Sequence, residues 1–155
     1  MKNLLLTIEK SVGTRMFTES WWFQDGRGEV DIIKDPKRGT LRSCVLYPSS
    51  ILLLFRPEGQ PLCSERHANM RGFLEDIVNC GWLSVPRARR QLGSLILWEK
   101  RRGNMHIGFY LGNNVVVSTS RLSGVPVRHH WLREADDPKV YRKVEKVFNH
   151  VILHR

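Results

Sequence analysis

Between Met105 and Thr119 the chain reads Met-His-Ile-Gly-Phe-Tyr-Leu, then Gly112-Asn113-Asn114, then Val-Val-Val-Ser-Thr. Two β-prone runs parted by so short a Gly/Asn segment have one economical solution, an antiparallel hairpin. The flanking segments extend the same texture. Leu95-Ile96-Leu97-Trp98 reads as a strand, and Ser123-Gly124 turns into another from Val125 to Trp131. The tail has two solutions. Asp137-Pro138 opens a helix well, and Val140, Tyr141, Val144, Val147, Phe148 and Val151 fit a helical period, whereas Lys143 to Phe148 also reads as a strand.

The first half has helical texture. Leu5, Ile8, Val12 and Met16 recur at helical spacing over about Lys2 to Phe17. Trp21, Trp22 and Phe23 precede a loop from Gln24 to Gly28, a short strand from Glu29 to Ile33 and a turn over Asp35-Pro36-Lys37-Arg38-Gly39. Ser43-Cys44 then runs into Ile51-Leu52-Leu53-Leu54-Phe55, apolar almost all round, which predicts a buried helix ended by Pro57 and Gly59. A further helix is expected over Ser64 to Asn79, with Met70, Phe73, Leu74, Ile77 and Val78 on one side and Gly81 just beyond. Helices first and an antiparallel meander afterwards predict an α+β fold. There is no internal repeat or low-complexity linker, so 155 residues make one domain. It divides into a helical extension (1–28), a helix-and-cysteine region (29–91) and a β-sheet region (92–150).

An apolar fraction of 41% supplies a core, and the charged 26% is dispersed rather than blocked, which excludes wholesale disorder. No apolar run reaches the ~20 residues that a membrane span needs. The opening Met1 to Lys10 lacks a cleavage site and is a poor signal peptide, so a cytoplasmic location is expected, with delivery to a cell wall by another route left open. Cys44, Cys63 and Cys80 form an odd set without a CxxC pair, which argues against a disulfide framework. His67 with Cys63 is too thin a pattern for a metal site, and no metal or cofactor is expected. The net charge of +10 points to anionic partners such as nucleic acid or an anionic polymer.

Cys44 stands just before a buried helix, where free N–H groups and the helix dipole favour a thiolate. His106 stands near the start of a strand, and Gly108, two residues on and on the same face, leaves room beside the imidazole. Ser118 shares that face if the hairpin loop has three residues; a two-residue loop would turn it away. A thiol, a base and a polar group to orient the base are the parts of a cysteine hydrolase. Of the adjacent pair His129-His130 only one can point at such a site, as a second orienter or a groove wall. Tyr47, Trp98, His129 and His130 are the candidate substrate contacts. Cys63, before the next helix, is a rival nucleophile, and Cys80 reads as core.

Here the chain resembles a known family. Gly93-Ser94-Leu95-Ile96-Leu97-Trp98 with His106 to Asn114 is similar to the strand-hairpin signature of the NlpC-like, papain-fold cysteine peptidases, and Ser43-Cys44 with its apolar helix resembles their nucleophile segment. The resemblance spans roughly Val30 to Trp131. It implies a nucleophile helix packed on an antiparallel sheet, no cofactor, and hydrolysis of amide bonds in peptide-like substrates such as peptidoglycan stem peptides. Cys44 matches the nucleophile, His106 the base and Ser118 the third position. Three places depart from the pattern: serine replaces the usual histidine, asparagine or glutamine, Gly93-Ser94-Leu95 replaces Gly-Asp-Leu, and Pro48 follows Cys44 by four. Pro48 either kinks the helix or starts it. The competing expectation from another class is a basic binding module of the same fold for nucleic acid or another polyanion. Acyl transfer by the same cysteine and histidine is a third.

Overall fold

The structure, a computed structural model, describes residues 1–15, 22–24, 30–32, 43–101 and 104–154. Among them, three α-helices and a six-stranded antiparallel sheet make an α+β fold. Helix α1 (Lys2–Lys10) is shorter than its periodicity predicts; it buries Ile8 of the expected row together with Leu4, and leaves Leu5 half-buried. It stops because Gly13 takes φ of +78°, and the Gly13 N–H then donates to the Pro126 carbonyl at 2.8 Å. Strands β1 (Trp22–Gln24) and β2 (Val30–Ile32) form a small antiparallel pair. Met16 and the expected turn over Asp35–Gly39 lie outside the described residues.

Helix α2 (Ser43–Leu53) contains Pro48, so the helix does not begin there. Cys44 is its second residue and sits in the first turn, where N–H groups lack intrahelical partners. Pro48 has no N–H to offer the Cys44 carbonyl. Helix α3 (Met70–Asn79) starts six residues later than the sequence predicts, because Asn69 caps it: the Gly72 N–H donates to Asn69 Oδ1 at 2.8 Å. Phe73 and Ile77 are buried, whereas Val78, expected on the core side, faces solvent.

The sheet comprises β3 (Trp82–Val85), β4 (Leu95–Arg101), β5 (Asn104–Gly112), β6 (Val115–Thr119), β7 (Pro126–His130) and β8 (Val144–His150), in the order β3-β8-β4-β5-β6-β7. The expected meander holds from β4 to β7. The ambiguous tail is the strand β8, which inserts between β4 and β3, a strand the sequence reading did not include. Asn113 and Asn114, at φ of 49° and 62°, form the β5–β6 turn; asparagine tolerates that left-handed backbone. Gly112 pairs with Val115, a two-residue loop, but an irregularity between Tyr110 and Gly112 shifts the register by one. Phe109 therefore faces Val117, and Gly108 comes beside Ser118. The strands meet so closely there that a Cβ on Gly108 would lie 2.5 Å from the Val117 carbonyl oxygen.

Alternation along the strands separates two cores. Leu95, Leu97, Ile107, Phe109 and Val117 pack with the three helices. Ile96, Trp98, Tyr110, Val116 and Trp131 build the second core on the opposite face.

Candidate active site

His106 pairs with Trp98 across β4 and β5, so its imidazole leaves the sheet on the Trp98 side. The rings of His106 and His129 each lie 5.6 Å from the Trp98 indole, tilted by 31° and 39°. Trp98 is itself fully buried, its indole N–H donating to the Trp131 carbonyl at 2.7 Å. It is a platform under the two imidazoles rather than an open groove wall. Between them stands the buried Ser118 hydroxyl, 2.8 Å from His106 Nε2 and 2.8 Å from His129 Nε2.

The protons in this chain are fixed by its far end. His129 Nδ1 faces two carbonyl oxygens, those of His130 at 3.1 Å and Arg133 at 3.0 Å, and carbonyls only accept. Nδ1 therefore carries the hydrogen, and burial, the largest influence on His129, keeps its ring neutral. Nε2 is then a bare lone pair that accepts the Ser118 O–H. The Ser118 oxygen in turn accepts from His106 Nε2–H. His106 is left with an unprotonated Nδ1, the tautomer in which a histidine acts as base. Serine is a weak orienter alone; with His129 behind it, it is one link in a directed relay.

Burial, then the Arg142 cation, then His129 push the His106 imidazolium down to about 3. In the unfolded chain the same group titrates near the ordinary ~6.5. Between those values the unfolded state binds a proton that the native state refuses. The stability conferred is complete above about pH 6.5, falls as pH drops, and levels off near pH 3. Full protonation of one histidine in the unfolded state contributes a slope of about 1.4 kcal/mol per pH unit. Urea unfolding of His106→Asn across this window is expected to lose one such slope, with His129 still supplying its own. An unchanged slope, or an imidazole NMR titration of His106 near pH 6.5, would refute the assignment.

Cys44 lies half-buried in the first turn of α2 and packs against the helix-side core. His106 projects from the other face of β5, and Arg142 links the two electrostatically. Arg142 is buried, with its guanidinium donating to the carbonyls of Glu99 in β4 at 3.3 Å and Asn104 at the start of β5 at 3.5 Å. Burial holds the Arg142 cation down, while the charges of Glu134 and of a Cys44 thiolate favour it. By reciprocity its charge favours that thiolate and disfavours protonated His106. The sequence reading did not single out Arg142; among 25 basic residues, nothing in the pattern marks the one that is buried.

The other candidates fall elsewhere. Tyr47 is wholly buried, its hydroxyl 2.8 Å from Ser11 Oγ and its ring edge-on to Phe109, which makes it core. His130 is exposed, and its Nδ1 accepts from the Leu132 N–H. The rival nucleophile Cys63 is inaccessible, and burial followed by a hydrogen bond to Asp76 pushes its thiol well above the usual range. Cys80 is pushed up to about 11, chiefly by burial and the charge of Asp76. No family model matches this chain, and no curated protein matches it. The class that fold and site define is an α+β protein with a serine-bridged histidine relay on one face of its sheet and a helix-opening cysteine packed on the other. No helix among the described residues is long and apolar enough to cross a membrane.

Proposed function

We propose that the chain is a thiol-dependent amide hydrolase acting on peptide-like substrates, with peptidoglycan stem peptides as the preferred class and a papain-like, NlpC-type arrangement as its frame. The observation that carries this reading is the directed relay from His129 through Ser118 to His106, which leaves Nδ1 as the base. In this reading Cys44 Sγ attacks the amide carbon as a thiolate that the Arg142 cation favours, and His106 Nδ1, on the other face of β5, takes the proton through intervening water. The helix-start N–H groups of α2 hold the oxyanion. Collapse forms a thioester and releases the amine, which takes the proton back from His106. Water then adds to the thioester with His106 again as base, and the carboxylic acid leaves.

The test needs no substrate. Iodoacetamide alkylation of each cysteine, followed against pH by peptide mass spectrometry, is expected to give Cys44 an apparent pKa about one unit or more below the ~8.5 of a free thiol. Arg142→Met is expected to move it back toward that value, with Arg142→Lys between the two. An ordinary titration of Cys44 in the parent protein would count decisively against the hydrolase.

The net charge of +10 supports a second reading, a basic module that binds nucleic acid or another polyanion. Arg90 is held over the Trp131 ring at 4.1 Å, a pairing of cation and aromatic face that such binding uses. Salt-sensitive polyanion binding that survives loss of Cys44 is the result that favours it.

A further inference from the structure

The second cluster of chemically capable side chains is remote from this relay and belongs to α3. Asp76 and Cys80 are four residues apart, one helical turn, and so share a face. Cys63 and His67 reach the same point from the segment between α2 and α3. Cys63 Sγ is 3.1 Å from Asp76 Oδ2, His67 Nε2 is 2.8 Å from the same oxygen, and Cys80 Sγ is 3.4 Å from Oδ1. One ligand atom from each of Cys63, His67 and Asp76 falls within a 4.8 Å span. The Ser64 N–H and hydroxyl also donate to the carboxylate, at 2.9 Å and 2.6 Å. Cys63 and His67 are buried.

We propose that Cys63, His67, Asp76 and Cys80 form a structural zinc site that clips the segment after α2 onto α3. The donor set is what zinc takes, two thiolates, an imidazole nitrogen and a carboxylate oxygen. At ligand distances of ~2.0 Å to N and O and ~2.3 Å to S, tetrahedral neighbours stand about 3.3–3.8 Å apart. The separations of Cys63 and His67 from Asp76 Oδ2 need to open by only a few tenths of an ångström, while Cys80, which contacts Oδ1 and lies outside that 4.8 Å span, swings in as the fourth ligand. A purely structural carboxylate hub is better served by hydroxyls and amides, because thiols are weak donors; two thiols aimed at one carboxylate are more useful as ligands. The clip also has a purpose. From Leu54 to Asn69 the chain has only the short 3-10 turn Pro57–Gly59, and a metal fixing positions 63 and 67 offsets the entropy of that segment. Gly72 belongs to the same design, since a Cβ there would come within 3.3 Å of His67 Nδ1.

The test uses the full chain with Zn2+ and Co2+ alone as probes. One equivalent of zinc is expected to survive gel filtration. Co2+ is expected to give the thiolate charge-transfer band and the intense visible bands of a tetrahedral site. Both signals are expected to persist in Cys44→Ala. In Cys80→Ser and His67→Gln, zinc affinity is expected to fall on the order of 100-fold, since even outer-shell partners cost 10–100-fold. Zinc at 100 times its Kd is expected to raise the Tm by roughly 5–10 °C. Cys80 is only half-buried, so its variant reports on binding even if Cys63→Ser fails to fold. If folded protein with stoichiometric Co2+ shows only the weak spectrum of hydrated cobalt, or if the thiolate band disappears with Cys44 rather than with Cys80, the site is overturned.

Discussion

Cys44→Ala is expected to lower kcat/KM for amide hydrolysis on the order of 10^4- to 10^6-fold, the range seen when a covalent nucleophile is removed from a working relay. Muropeptides of defined sequence are the substrates of choice, with release of the new amine as the readout. The fold should survive. Cys44 is half-buried at a helix start and contributes one sulfur atom to the edge of the helix-side core, so the stability change is expected to stay within about 1 kcal/mol. That separation makes the result interpretable, because a large loss of activity without a change in Tm is a chemical effect.

Cys44→Ser sharpens the test. It keeps a small polar group at the first turn of α2 but replaces a thiol by a much weaker acid, and activity is expected to stay near the alanine level. Cys63→Ala is expected to leave turnover intact wherever the protein folds, since Cys63 is buried and its thiol is held protonated. Full activity in Cys44→Ala would end the hydrolase assignment. A stable thioester on Cys44 formed from an acyl donor but never from a peptide would redirect it to acyl transfer.

What could be read from the residues depended on whether the deciding interaction was local. The β5–β6 hairpin was legible because Asn113 and Asn114 can take positive φ, a property of the two residues themselves. The side of the sheet on which Ser118 falls was not, since a two-residue loop alone predicts the wrong face. The irregularity near Leu111 restores the register, and nothing around Leu111 in sequence announces it. The start of α3 was misplaced because Ser64 and Asn69 are both good caps, and the choice is settled by Ser64 serving Asp76, twelve residues away. β8 could be placed only by its tertiary partners β3 and β4, which bury Val144, Val147 and Phe148. Arg142 and Asp76 escaped notice for a similar reason: each gathers partners from distant segments.

Trp98→Ala is expected to cost the most stability of any substitution near the relay, about 3–5 kcal/mol for emptying a fully buried indole site. The Tm is then expected to fall by roughly 6–20 °C for a chain of this size. The loss has two sources, the cavity among Ile96, Val116 and Val144, and the Trp131 carbonyl left without its indole donor. Trp98→Phe keeps an aromatic platform while removing the N–H and part of the ring volume; its cost is expected to be smaller, about 1–3 kcal/mol. The two variants also test why His106 titrates so low. If the indole's exclusion of water is the main cause, the alanine variant, where it remains folded, should let the His106 midpoint rise from about 3 toward the ordinary ~6.5. The phenylalanine variant should leave it near 3. A midpoint unmoved in both would transfer the cause to the Arg142 cation, and Arg142→Met would then have to raise it.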